Sequence, residues 1–239
     1  MNVSFINFIQ FIFVLMANIL SIDTATEVAV VALGNEKETL FFRENAEQKT
    51  HASFVQTAIN DILHESDIYW NNICAIAVSN GPGSYTGLRV GLSSAKGIAY
   101  AVGKPLILLN TLEVMAQNAI IQLQDENALY CPMIDARRME VFTGIYNISL
   151  NNLFVPAAVI LNDILFKDFL NTNKMIIFGS GAEKSKPILH STNAYFLNVT
   201  QRVEGLNTLA QKHFLMNNFA DLAYAEPFYL KSFYTKQQQ

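Results

Sequence analysis

The residues best placed to do chemistry lie in the run Asn80-Gly81-Pro82-Gly83-Ser84-Tyr85-Thr86-Gly87-Leu88-Arg89. It follows a continuous apolar stretch and opens a helical pattern. Glycines let such a turn tighten, Ser84 or Thr86 can cap the helix that follows, and free N–H groups at a helix start can hold an anion. No Gly-Lys-Ser/Thr follows, so the run is not a P-loop. Its glycines are spaced G-x-G-x-x-x-G, which is not the dinucleotide fingerprint. On these grounds a structural turn is favoured over a phosphate cradle. Metal chemistry has less support. Two histidines at i and i+4 on a helix would share a face and one ion. Here His51 has Val55 at that spacing, His64 has Ile68, and His190 and His213 are isolated. Each histidine reads as a solvated or helix-end residue, and no bound metal is expected. No G-x-S-x-G run marks a serine nucleophile. Cys74 and Cys131 lie in apolar, strand-like stretches without a base nearby and read as buried free thiols. No catalytic residue is assigned.

Elements must position these residues. Stretches 18–24, 28–33 and 38–44 read as three strands. In 52–66, Phe54, Val55, Ala58, Ile59, Ile62 and Leu63 form an apolar stripe opposite Gln56, Asn60, Asp61 and His64, which predicts an amphipathic helix. The apolar run 73–79 suits a strand covered on both faces. A helix at 88–102, a strand at 106–109 and a helix at 111–121 follow. A second round then gives strands at 129–135, 139–148 and 153–160, a helix at 162–171, a strand at 175–178 and helices near 182–190 and 205–217. Both halves share an element order, and Ile22-Asp23 and Ile134-Asp135 each end a first strand before a turn. Such repetition predicts a duplicated α/β unit. Its architecture is the two-lobe actin–Hsp70–sugar-kinase (RNase H-like) one, with an N-terminal lobe at 16–115, a C-terminal lobe at 116–239 and a cleft between them.

Nucleotide-binding members of that architecture approach phosphates through two hairpin turns in which glycine follows aspartate. Here the turns read Asp23-Thr24-Ala25-Thr26 and Asp135-Ala136-Arg137-Arg138. Both aspartates are present and both glycines are missing. Side chains at Ala136 and Arg137 would crowd a phosphate, although an arginine can also pair with one. Gly179-Ser180-Gly181-Ala182 resembles the turn that faces adenine. The expectation is a degenerate nucleotide cleft built from Asp23, Asp135, Arg137, Gly179 and Gly181. It would bind a nucleotide weakly, without turnover and with no tightly held cofactor.

Composition narrows the classes further. Of 239 residues 51% are apolar and 15% charged, which excludes dominant disorder. Acidic residues outnumber basic ones by 20 to 16, for a net charge of −4. A chain gripping nucleic acid unaided normally carries a basic surplus, so such contact is expected to be minor or delegated to a partner. Residues 1–15 are apolar but lack a basic start, and Asn7, Gln10 and Asn18 interrupt the run. They fit neither a signal peptide nor a spanning helix. The expectation is that Met16 is the true start; a membrane anchor is the rival reading.

On the helix at 88–102, Leu88, Leu92, Ala95, Ala99 and Val102 share one face, and Arg89, Lys96 and Tyr100 form a polar flank. Val90, Ser94, Gly97 and Ala101 make up a third face of small, uncharged residues. Such a face fits a close helical partner or burial under another part of the same chain.

The stretches 22–26 (IDTAT), 80–101 (NGPGSYTGLRVGLSSAKGIAYA), 135–146 (DARRMEVFTGIY) and 226–233 (EPFYLKSF) closely resemble the bacterial TsaB (YeaZ) family. The resemblance runs from about Met16 to the C-terminal region. It implies the duplicated two-lobe fold and a non-catalytic paralogue of TsaD, the metal-containing subunit. With TsaD and the ATPase TsaE, the family makes N6-threonylcarbamoyladenosine at position 37 of tRNAs that read codons beginning with A. The resemblance implies a cytoplasmic scaffold that dimerises with TsaD through its N-terminal lobe, on the face of Val90, Ser94, Gly97 and Ala101. A homodimer is implied when TsaD is absent, with tRNA contacted indirectly and no membrane involved. A stand-alone glycoprotease-like hydrolase or a degenerate sugar-kinase-like ATPase is the alternative, and the missing ligand pair and glycine-less turns count against it.

Overall fold

The computed structural model describes residues 17–47, 50–200 and 203–231. The expectation that translation starts at Met16 lies outside these residues. The chain builds two five-stranded sheets of the same order. The first contains β1 (Asn18–Asp23), β2 (Ala29–Gly34), β3 (Thr39–Asn45), β4 (Ile73–Gly81) and β5 (Leu106–Asn110), with α1 (His51–Ser66) and α2 (Tyr85–Val102) inserted. Its order is β3-β2-β1-β4-β5, an antiparallel meander extended by two parallel strands. After α3 (Thr111–Leu123) come β6 (Ala128–Asp135), β7 (Glu140–Tyr146), β8 (Asn152–Ile160), α4 (Lys167–Thr172), β9 (Lys174–Phe178), α5 (Ala182–Ser185), β10 (Ala194–Phe196) and α6 (Val203–Leu215). The second sheet runs β8-β7-β6-β9-β10 and repeats the pattern.

Strand alternation sends side chains to two cores on either side of the first sheet. Leu20, Ile22, Val31, Ile76 and Val78 meet Val55, Ile59 and Ile62 of α1 and Leu92, Ala95 and Ala99 of α2. Ile19, Ala32, Ala75, Ile107 and Leu109 meet Val114 of α3 and Leu206, Leu209 and Ala210 of α6. Each fully buried Leu or Ile contributes about 1.5–3 kcal/mol. β4 is covered on both faces, which is why it reads as an unbroken apolar run. The other side of α3 (Leu112, Met115, Ala119) packs on Tyr130, Ile176 and Phe178 of the second sheet. The helix is therefore a shared wall.

The expected division at 115 and 116 falls inside α3. The chain also returns: Gln211 on α6 donates to the carbonyls of Ala17 and Gly34. Beyond it, Ala220 pairs with Leu106. The second half of the sequence thus contributes to both lobes, because α6 joins α3 in covering one apolar face of the first sheet. The expected helix at 162–171 is the six-residue α4: Asn162 Oδ1 takes the Ile164 N–H in a turn, and Phe166 stands at φ 61°. The helix expected near 182–190 stops after one turn, because Pro187 has no N–H with which to continue the ladder. Three-residue β10 was not anticipated, being too short to show a period. Cys131 is buried as expected, whereas Cys74 is only half-buried. Among the described residues no helix is long and apolar enough to cross a membrane.

Candidate functional site

The two aspartate turns face one another across the gap between the lobes. In the first, Asp23 Oδ1 accepts the Ala25 N–H at 2.9 Å. Thr24 is fully buried and its hydroxyl donates to the Gly87 carbonyl at 2.6 Å. The Ser84 N–H donates to the Ala25 carbonyl at 2.7 Å. A Cβ at Gly87 would stand 1.9 Å from the Thr24 carbonyl oxygen, one at Gly83 2.2 Å from that of Ala25, and one at Gly91 2.4 Å from Thr24 Oγ1. These glycines let α2 lie flush against the turn. Ser84 caps α2, taking the Gly87 N–H on its hydroxyl. Asp23 itself is 9% exposed. Burial pushes its carboxyl above the usual carboxylate range, against the opposing pull of the Ala25 N–H and the charge of His51. His51 stands at the start of α1, a helix-end residue as expected, and is buried there.

The second turn repeats the first bond. Asp135 Oδ1 accepts the Arg137 N–H at 2.7 Å. Arg137 and Arg138 have φ of 64° and 52°, so two arginines occupy the left-handed region that glycine would fill without strain. Lys184 Nζ donates to Asp135 Oδ1 at 2.5 Å, to the Glu140 carbonyl at 2.5 Å and to the Arg138 carbonyl at 3.1 Å. This ammonium holds the Asp135 carboxyl below its ordinary range. Ser180 Oγ accepts the Asp135 N–H, and the Gly181 N–H donates to the Met133 carbonyl. Gly179, at φ 98°, lets its turn fold against the Met133 carbonyl.

Between the turns lies a cleft of about 1110 Å³, with Thr26, Ser84 and Tyr85 on one wall and Asp135, Arg137 and Gly179 on the other. The structure thus brings together three of the five expected cleft residues. Asp23 is buried behind its turn, and Gly181 points into the base of the second lobe, against Val141 and Met133. Sequence reasoning missed Lys184, which is 49 residues from Asp135. It also missed the tail that crosses from lobe to lobe. Within that tail the Phe228 N–H donates to the Asn80 carbonyl, and the rings of Tyr229 and Tyr85 lie 5.3 Å apart. Lys231 donates to the Ala136 carbonyl and pairs with Glu140. The stretch 226–233 contains these residues, yet no local spacing marks them.

The outer side of α2 divides. Val90 packs partly into the core shared with α1, and Ser94 Oγ accepts from Gln56 of α1. Gly97 and Ala101 are exposed, and nothing stands within 4 Å of where a Gly97 Cβ would be. Of the polar flank, Arg89 donates to Tyr229 and Lys96 to the carbonyls of Ala223 and Ala225, which leaves Tyr100, 81% exposed.

Among the described residues no three His, Cys, Asp or Glu stand together as a metal site. The family described as TsaD, tRNA N6-adenosine threonylcarbamoyltransferase, matches residues 44–225, more than half of the chain. The tRNA threonylcarbamoyladenosine biosynthesis protein TsaB of Bacillus subtilis is 29% identical over 180 residues, covering 74% of this chain and 72% of the relative. TsaB of Haemophilus influenzae is 40% identical over 124 residues, covering 52% of this chain and 51% of the relative, so this alignment spans about half of either protein. A crystal structure from Pseudomonas aeruginosa, of a protein described as similar to peptidase YeaZ, superposes with a TM-score of 0.81 at 24% identity, over 90% of this chain and 100% of that one. That likeness establishes the two-lobe fold. The chain belongs to the TsaD family, and within it to the TsaB (YeaZ) proteins.

Proposed function

We propose that this chain is a non-catalytic scaffold subunit of the assembly that forms N6-threonylcarbamoyladenosine in tRNAs reading codons beginning with A. Its catalytic partner is a TsaD protein, TsaE completes the assembly, and a second copy of this chain takes the same face when TsaD is absent. The work is done in the cytoplasm, with tRNA gripped through the partner. The observation that carries this reading is the outer side of α2, where Gly97 and Ala101 are exposed and uncharged next to the seam formed by Val90, Ser94 and α1. Small residues let a partner helix approach closely, and a solvated helix would carry Lys or Glu there. Family membership and the relatives' names supply the pathway. The non-catalytic part is supported by the two turns, one sealed by α2 and the other closed around Lys184. Such a cleft admits a nucleotide weakly and does not turn it over.

The test is co-elution with TsaD, followed by threonylcarbamoyl transfer to tRNA with and without this chain. Ala101→Arg places an unpaired cation in the contact and is expected to lower affinity about a thousandfold, from a cost of several kcal/mol. The isolated variant should unfold at the wild-type temperature, because residue 101 is exposed. Co-elution of Ala101→Arg with TsaD at low micromolar concentration, or full transfer without this chain, would sink the proposal.

A further inference from the structure

The turn between β6 and β7 is folded around a positive charge. Three oxygens of one short segment converge: a carboxylate oxygen of Asp135 and the backbone carbonyls of Arg138 and Glu140. The Lys184 ammonium sits among them and spends its three N–H donors on those three acceptors. Two consecutive non-glycine residues, Arg137 and Arg138, hold left-handed backbone conformations in this segment, each unfavourable unless the surroundings fix it. Both guanidinium groups are exposed, that of Arg137 adding its charge beside Asp135, and the hydrogen bonds that hold the segment lie at the centre of the turn. A carboxylate and two carbonyls on one loop are also the donor set that hard cations accept.

We propose that the β6–β7 turn is a cation-binding loop that the chain fills with its own lysine, so that Lys184 stands where a divalent ion would otherwise be held. The inference does not depend on the scaffold reading. It bears on the cleft in one way. Oδ1 of Asp135 is engaged by Lys184 and the Arg137 N–H, so a cation arriving with an anionic ligand in the cleft would meet only Oδ2 of this carboxylate.

The experiment is Mn²⁺ titration, read by electron paramagnetic resonance, of the wild-type chain, Lys184→Ala and the double variant Lys184→Ala/Asp135→Asn. Lys184→Ala is expected to take up one Mn²⁺ at least tenfold more tightly than wild type, with Kd on the order of 0.1–1 mM, the range of weak oxygen-ligand sites. The double variant should return to the wild-type level. Folding is followed in parallel. The thermal midpoint of Lys184→Ala is expected to rise with Mn²⁺ or ethylammonium, and not with tetramethylammonium, which has no N–H to donate. Equal Mn²⁺ binding by wild type and Lys184→Ala overturns the proposal, as does undiminished binding by the double variant. Failure of Lys184→Ala to fold with either added cation also overturns it, because a cavity that only the tethered amine can fill is not a cation site.

Discussion

Asp23 and Asp135 each end the first strand of a sheet, and each takes on its Oδ1 the amide two residues further along. Beyond that shared bond the two turns part. The first is pressed against α2 by backbone contacts and has Thr24 fully buried. Its aspartate sits out of water with its carboxyl pushed up. The second is held by a side chain, that of Lys184 on the one-turn helix α5. Its aspartate is about half exposed, paired with Lys184, and its carboxyl is pulled down. One duplicated motif has therefore been stabilised by shape in one lobe and by charge in the other. Retaining the aspartate does not mean retaining its electrostatic state.

Three variants test this contrast, the largest effect first. Gly87→Ala drives a methyl group into the Thr24 carbonyl oxygen, a backbone atom, and neither side can relieve the contact by a rotamer change. The expected loss is about 3 kcal/mol or more, the upper end of overpacking effects. It should be insensitive to salt in denaturant titrations. A loss under about 1 kcal/mol would mean that shape does not hold the first turn.

Asp23→Asn separates burial from charge. A carboxyl whose folded pKa is raised favours the fold below its unfolded pKa near 3.8, and that contribution is lost as pH rises through the folded value. The amide keeps an acceptor for the Ala25 N–H and removes the titration. Wild type should thus lose stability relative to Asp23→Asn as pH rises above about 4, by on the order of 1 kcal/mol. Parallel pH–stability curves for the two proteins would contradict the buried-carboxyl account.

Asp135→Asn should behave in the opposite sense and more weakly. A depressed folded pKa contributes stability above the unfolded value, and this is lost as pH falls through the folded one. The variant is expected to be a few tenths of a kcal/mol less stable than wild type at pH 7, because solvent screens a half-exposed pair. The difference should shrink as pH falls below about 4 and in molar salt. A deficit that persists unchanged at pH 3 would assign the second turn to packing after all.

The duplicated order was legible because apolar period and strand-ending aspartates are local signals. β4 announced itself as a strand covered on both faces, and Ile22-Asp23 and Ile134-Asp135 marked the repeat. The glycines of 80–89 were legible as a turn, but their partner was not. Gly83, Gly87 and Gly91 recur every four residues, the spacing of one helix face, and that pattern could have indicated a backbone lying against α2. The different fates of Asp23 and Asp135 were not legible, since identical spacing precedes them. What separates them is α2 in one lobe and Lys184 in the other, the second a contact across 49 residues. The burial of His51 was not legible either, because burial is decided by what packs above a residue. The α2 face was half legible: spacing put Val90, Ser94, Gly97 and Ala101 together, while the seam with α1 covers the first two in part.

The absence of slack between α2 and residues 24–25 makes the helix a stiff rod whose end is bolted to the rim of the cleft. A body seated against Gly97 and Ala101 pushes on the far end of that rod. Since a close-packed contact transmits displacement instead of absorbing it, a tilt imposed there reaches Ser84, Tyr85 and Thr26, which form one wall of the cleft. Docking on the outside and the width of the gap inside are then two readings of a single lever.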